Sequence, residues 1–444
     1  MSSKSLQNYD NFLYVNFIHF LIALFPLSYI AGNLIVNLNI LLIVVTTLII
    51  FRKKVFLINY NIIDKLIFLS FAIIVISGII NTFQIYLEDE NSIGSSKVLI
   101  KSFLHLRYLL FYLILRFLVE ANIFNFRIFF ISSFICSLFV SIDLIYQFIF
   151  GVDILGFKQD LRDISKFSGP FGDELIAGSY LQKFGFLSFF FIPLFLNIKY
   201  KKLIYLYLIL LFLLILFSLI ITGNRMPFVL FILIMLSVFI LEKKTRKYFI
   251  SLSVITILVF LATYKYNSIT KGYFKHFSKT AIEIKDSTFD FIFKDLSDEE
   301  LKLFNKDPQL FIPNTYVKEF YSGIATWKQN KIIGGGIDSF YINCKKSLND
   351  CASHPHNYYL EILSEIGIVG LIIFLLIFGK VFLDTFYLKY LKKAQFNNLI
   401  IPFMFLFLAE IFPIKTSGSF FTTSNTSFIF FILAITVALS RRPN

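Results

Sequence analysis

Two histidines stand within three residues in "SHPHNYYLEILSEIGIVG", at His354 and His356, in a chain that holds five histidines in all. The spacing predicts a helix with Pro355 at its first position, Ser353 or His354 as its cap and His356 in its first turn. His356, Leu360, Leu363, Gly367 and Gly370 then share one stripe, and Tyr358, Glu361 and Glu365 form a more polar stripe beside it. A helix N-terminus disfavours an imidazolium and favours a nearby anion, so His356 reads as a neutral base beside a phosphate. The same spacing fits a histidine that only hydrogen-bonds at an interface. In "LIITGNRMPFVLF", Thr222, Gly223 and Asn224 predict a tight turn, and Arg225 starts the next apolar run. A guanidinium presents a fixed fork of donors that matches a phosphate, although a lipid-headgroup anchor is an equal reading of Arg225 alone. Arg162 and Lys166 precede "FSGPFGDELIAGSYL", where backbone amides freed by a glycine-interrupted turn and two cations would make an anion cradle.

These groups need elements to carry them, and composition says which. The 444 residues are 57% hydrophobic with a mean hydropathy of +0.75, which implies a polytopic membrane protein. A helix needs roughly 20 apolar residues to cross the hydrocarbon layer. Twelve stretches meet that demand, near 12–31, 33–51, 62–80, 98–118, 126–150, 177–196, 202–222, 226–241, 249–264, 366–388, 398–414 and 426–440. The expected class is therefore all-α with about twelve transmembrane helices. The first span reads as retained, with no cleavable signal peptide.

The net charge of +14 has a sided distribution. With the N-terminus inside, eighteen Lys and Arg fall on the inner connections, Arg116 among them, and six on the short outer ones: Lys97, Lys158, Arg162, Lys166, Arg225 and Lys415. That bias predicts both termini in the cytoplasm and puts His356, Arg225 and Arg162 on the outer face. Lys183, Asp143, Glu410, His105 and Arg107 fall inside spans and call for a polar cavity or mutual pairing, such as Asp143 with Lys183.

Three domains follow: residues 1–264 with helices one to nine, residues 265–355 as one large outer loop, and residues 356–444 with helices ten to twelve. The loop is too long for a connector, and "DFIFKDLSDEELKLFNKD" predicts a helix with Ser297 as its cap and Glu299 and Glu300 in its first turn. Cys344 and Cys351 fit a disulfide in an oxidising compartment, two free thiols, or a weaker metal set with His354 and His356 whose spacing matches no standard zinc pattern. Absences narrow the chemistry. "IIGGGIDSF" reads as a flexible turn because no P-loop motif is present, and neither an Asp-x-Asp pair nor a serine-hydrolase elbow occurs. No cofactor and no metal are expected, and basic groups with one histidine at a lipid surface suit a lipid-linked phosphate or pyrophosphate.

The pattern resembles the O-antigen ligase and O-antigen polymerase superfamily. His356-Asn357, nine residues from Tyr358 to Ile366, then Gly367-Ile368-Val369-Gly370 is similar to that family's H-N-x9-G-x-x-G signature after a large loop. "FSGPFGDELIAGSYL" resembles a second block, "TGNRMP" its outer (S/T)-x-R element, and "WKQNKIIGGGIDSF" its Pro-x-x-Gly-x-Gly turn with isoleucine in place of proline. An arginine often lies close before the "SGPFG" block; here Lys166 is nearest and Arg162 lies further upstream. The resemblance covers most of residues 160–380. It implies a metal-independent, inverting GT-C glycosyltransferase of a bacterial inner membrane. Its active site would lie in the periplasm, and it would move a glycan from undecaprenyl pyrophosphate to an acceptor hydroxyl. On this reading His356 and Arg225 are catalytic, and Arg162, Lys166 and Arg225 bind pyrophosphate. Asn357, Tyr358, Glu365, Gly367 and Gly370 support them. The acceptor is lipid A-core for a ligase, the reading adopted here, or another glycan for a polymerase. A transporter of lipid-linked glycan is the rival class, but its polar residues should line an inward path, and here they gather at the outer mouth.

Overall fold

A computed structural model of the chain describes residues 12–88, 93–158, 166–195, 201–243, 314–416 and 418–441, with isolated positions between 254 and 312. Among these residues the fold is helical, with one isolated bridge between Val152 and Lys158. In chain order the helices used below are α1 (Phe12–Ala31), α2 (Asn33–Phe51), α3 (Ile62–Glu88), α4 (Ile93–Glu120), α5 (Phe126–Phe150), α6 (Ala177–Tyr180), α7 (Lys201–Ile221), α8 (Arg225–Leu241), α9 (Thr315–Trp327), α10 (Phe340–Ser347), α11 (Tyr358–Phe382), α12 (Ile400–Glu410) and α13 (Thr423–Ser440).

Seven helices among the described residues are long and apolar enough to cross a membrane: α1 to α5, α11 with its extension to Leu391, and α13. α7 from Leu206, α8 and α12 are apolar but shorter. The stretch expected as a span over 177–196 is not one regular helix. α6 runs into a π-helical turn at Leu181–Gly185 and then into short pieces at Phe186–Ser188 and Phe191–Phe195. π turns are frequent at functional sites. The expected span at 249–264 and the predicted cap at Ser297 lie outside the described residues, apart from isolated positions.

Chain punctuation explains the boundaries. Gly32, at φ 101°, separates α1 from α2. Asn125 caps α5 by accepting from the Ile128 amide, and Gly151 ends it at φ 75°. Aromatic contacts fill the centre of the bundle, as where Phe25 of α1 stacks on Phe431 of α13 at 4.4 Å. Arg116, counted above as a loop cation, is instead buried within α4, where it pairs with Asp64 of α3 and with Glu120. Burial of that guanidinium requires both carboxylates, so it is no marker of the inner face.

The N-terminal part of α11 is set by a break. Gly367 stands at φ 70°, ψ −174° inside an otherwise helical run, which frees backbone groups on both sides of it. The segment around Gly334, Gly335 and Gly336 takes them up. The Gly335 amide donates to Ser364 O at 2.9 Å and the Gly336 amide to Glu365 O at 2.7 Å, while the Ile368 amide donates to Lys331 O at 3.0 Å. The segment expected to be flexible is therefore pinned into a helix break. Asn81 and Ser77 of α3 hold its other side, at Gly334 O (2.8 Å) and Ile333 O (2.7 Å). Lys97 and Lys101 of α4 hold Asp338 at 2.8 and 3.7 Å.

No side chain fits at the break. A Cβ at Gly367 would lie 2.1 Å from Ile332 O, in a φ region that side chains rarely adopt. Gly367→Ala should therefore cost on the order of 3 kcal/mol or more from strain and displacement of the turn. Gly379→Ala, which meets no atom within 4 Å, should be neutral or slightly stabilising. Thermal melting of the purified variants in detergent checks the pair: a normal melting temperature for Gly367→Ala contradicts this account of the break.

Candidate active site at the N-terminal end of α11

The residues ahead of α11 fold differently from the sequence expectation. Pro355 is not the first helical residue and His356 is not in the first turn, because Asn357 is the cap. Its Oδ1 accepts from the amides of Tyr359 (3.0 Å) and Leu360 (3.2 Å), and its Nδ2 donates to Pro413 O at 2.8 Å. An Asx side chain outcompetes the proline for the helix start by satisfying two orphan amides at once. His356 is left outside the helix at φ 47°, so it shares no helical stripe with Leu360 and Gly367. A side chain in the left-handed region is uncommon and clusters at functional sites.

The His356 ring lies 4.1 Å from that of His354, and its Nε2 lies 3.6 Å from Glu319 Oε1 on α9. α9 comes this close because it presents Gly323 to Pro355 and Leu360: a Cβ there would meet both at 3.0 to 3.1 Å. Burial lowers the pKa of His356 below its usual value, and burial with the adjacent His356 lowers His354 to about 4. Both rings are therefore neutral at pH 7 and able to accept a proton. Burial, reinforced by the charge of Asp350, raises Glu319 to about 7.

Cys344 and Cys351 form a disulfide that ties α10 to the segment leading to His354. Cys344 is buried and packs with Phe340 and Leu348 against Tyr321 and Ala325 of α9. Through that packing the bridge links the segment leading to His356 with α9, which carries Glu319.

Behind His356, the polar stripe of α11 holds two segments in place, the connection between α12 and α13 and the glycine turn. Tyr358 Oη receives a hydrogen bond from Lys415 at 3.0 Å, and Glu361 accepts from the Phe420 amide at 2.6 Å and from Ser419. Glu365 accepts from the amides of Asp338 (3.0 Å) and Phe340 (3.4 Å), which places it under the glycine turn, and its Oε2 is buried without a hydrogen-bond partner. Gly370 leaves the close contact that Ile366 makes across the next turn.

Arg225 is the first residue of α8, half-buried, after a Thr222-Gly223-Asn224 turn in which Gly223 has φ 66°. That turn packs on the segment after Lys166. Asn224 Nδ2 donates to Leu175 O at 3.1 Å, and a Cβ on Gly178 would lie 2.7 Å from that of Asn224. Lys166 is half-buried, and Arg162 lies outside the described residues.

Buried charges connect this region to α11. Lys183, in the π-helical turn after α6, reaches Asn425 Oδ1 at 3.0 Å and Glu410 Oε1 at 3.9 Å, and Glu410 Oε2 binds Lys415 at 2.5 Å. The pairing expected between Lys183 and Asp143 does not occur, since Asp143 accepts from the Ile154 amide instead. His105 is enclosed by Phe71, Tyr108 and Phe421, and Arg107 donates to Tyr108 Oη, so neither joins this network. Sequence reasoning missed Glu319, the buried role of Lys415 and the part played by Glu361. The polar stripe signalled Glu361, but Glu319 lies 37 positions before its partner with no local pattern to mark it.

Residues 210–375 match the family model for O-antigen ligase. The match covers a little over a third of the chain and supports a likeness to the O-antigen ligase superfamily. The match takes in Arg225 and its turn, Glu319, the glycine turn, the disulfide and the His356-Asn357 to Gly370 motif. With the seven membrane-length helices, the match supports a multi-pass membrane protein with a segment of O-antigen ligase or polymerase type. No curated protein matches the chain.

Two measurements probe this architecture. Lys415→Met leaves Glu410 and Tyr358 short of a cation and should destabilise by ~3 to 5 kcal/mol, whereas the double variant Glu410→Gln/Lys415→Met should recover part of that loss; a double-mutant cycle on detergent-extracted protein reads the coupling, and strictly additive costs would refute it. Reducing Cys344–Cys351, which closes a short loop, should cost about 2 to 3 kcal/mol and speed limited proteolysis around α10, with Cys344→Ser/Cys351→Ser behaving alike.

Proposed function

We propose that the protein is an O-antigen ligase that transfers a glycan from undecaprenyl pyrophosphate to a hydroxyl of lipid A-core, at the periplasmic face of a bacterial inner membrane. The observation that carries this reading is His356, a neutral imidazole held outside the helix at positive φ by the Asn357 cap, within the segment that matches the family. About twelve spans with both termini cytoplasmic, as in GT-C enzymes, would put that imidazole and Arg225 on one outer face.

In the reaction the bond between the sugar C1 and the pyrophosphate oxygen breaks, with its electrons leaving on the pyrophosphate. Arg225, with Lys166 or Arg162, meets the growing charge as a preorganised electrostatic partner. The acceptor oxygen bonds to C1 from the opposite face, which inverts the anomeric configuration, and its proton passes to His356. These residues require no metal to perform these steps. Asn357, Tyr358, Glu365, Gly367 and Gly370 act by holding the helix start and the outer turns, and the residues fall into the three parts 1–264, 265–355 and 356–444.

His356→Ala and Arg225→Ala, each confirmed in the membrane, should lower transfer by at least ~100-fold, the usual worth of a general base or of one oxyanion-type partner. Glycan on lipid A-core is the readout. Long chains accumulating on undecaprenyl pyrophosphate accord with the ligase, and single repeats would make the enzyme a polymerase. Normal capping in either variant removes that residue from the mechanism.

A further inference from the structure

We propose that Glu319 is the positioning residue of the proton-accepting group: its carboxylate faces Nε2 of His356, directs the incoming proton to Nδ1, and holds the resulting imidazolium as an ion pair. This inference rests on His356 acting as the base.

The geometry comes from three separate constraints. Nε2 lies 3.6 Å from Glu319 Oε1, an ion-pair distance slightly longer than a hydrogen bond, as is common in catalytic pairs before substrate binds. Gly323, one turn after Glu319, sets the approach of α9 to Pro355 and Leu360, so the carboxylate is delivered by a rigid helix. The disulfide and its apolar cluster lock α9 to the segment that carries His356. His356 in turn is held at φ 47° between Pro355 and the Asn357 cap. Two fixed elements thus present one nitrogen to one oxygen, while the ring remains one-third exposed.

The proton count follows. With Glu319 ionised and His356 neutral, Nε2–H points at the carboxylate and Nδ1 is free. The acceptor hydroxyl gives its proton to Nδ1 as its oxygen bonds to the sugar, and the pair becomes carboxylate plus imidazolium. Burial opposes each charge alone, raising Glu319 to about 7 and lowering His356, and on this proposal the facing Nε2 and Oε1 let the two charges form as a pair. The titratable groups facing the pair are Asp350, whose charge raises Glu319, and His354, which stacks on His356. Asp350 is anchored by Gln309, whose Nε2 donates to its carbonyl at 2.6 Å and whose Oε1 accepts from its amide at 3.0 Å.

The test reads the imidazole directly and needs no substrate. The purified full chain is labelled with [15N]histidine, and the His356 resonance among the five is assigned by its loss in His356→Gln. Its protonation midpoint is then followed by NMR in wild type and in Glu319→Gln. The proposal expects the wild-type midpoint at least one pH unit above that of the variant, since the lost carboxylate no longer supports the imidazolium. Glu319→Asp should restore part of the shift, and unchanged melting temperatures exclude misfolding. Equal midpoints in wild type and Glu319→Gln overturn it. The acid limb of the transfer rate should move to lower pH in Glu319→Gln, with a rate loss of at least tenfold; an unmoved limb at full rate also overturns the proposal. Full transfer by His356→Ala would instead defeat the reading of His356 as base and leave the NMR result standing on its own.

Discussion

A transmembrane helix keeps its backbone polar groups out of lipid by bonding them within itself, and α11 gives up that protection at Gly367. The break is tolerable only because another piece of backbone arrives to take the freed groups, and the segment from Lys331 to Gly336 does so. Much of the architecture around the break depends on this exchange. The glycine turn is held in the break, α3 and α4 are tied to the turn through Asn81, Ser77, Lys97 and Lys101, and α9 and α10 flank it in the chain. The nine residues between His356-Asn357 and Gly367 then form a short buried helix with its own cap, separate in direction from the span below. The family spacing is, in physical terms, the length of that helix.

Charge inside the bundle obeys the same economy. Tyr358, Glu361 and Glu365 lie on one face of the short helix; the first two bind the connection between α12 and α13, and the third binds the glycine turn. Glu410 accepts two lysines that would be costly unpaired in lipid, and those lysines reach the π-helical turn after α6 on one side and Tyr358 on the other. The block after Lys166, which packs on the turn before Arg225, is thereby joined to the helix that starts one residue beyond Asn357. Regions well separated in sequence become a single unit through buried ion pairs and backbone contacts.

Long apolar helices were legible from hydropathy alone. α1, α2 and α5 begin and end where the residues change character, since Gly32, Asn125 and Gly151 are local signals. The stretch at 177–196 was misread because hydropathy is blind to the π turn, in which Lys183 finds its partners on distant segments. The start of α11 was misread for a different reason. Pro355 and Asn357 both signal a helix start, and the choice between them is made by Pro413, which takes the Asn357 amide from 56 positions away. Arg116 and Lys415 were counted as loop charges because a charge near the end of an apolar run carries no mark of its buried partner. The polar stripe was visible as a pattern, but what it grips was not, and the Glu319 contact follows from the packing of α9 at Gly323.

The central claim is that this unit makes a glycosidic bond. The most direct measurement supplies purified protein in detergent with an undecaprenyl-pyrophosphate-linked glycan and lipid A-core, without metal or nucleotide, and looks for the joined product. The account predicts glycan covalently attached to lipid A-core, with inverted anomeric configuration and release of undecaprenyl pyrophosphate. Donor left intact beside unmodified acceptor, with a protein that still melts cooperatively, would contradict it.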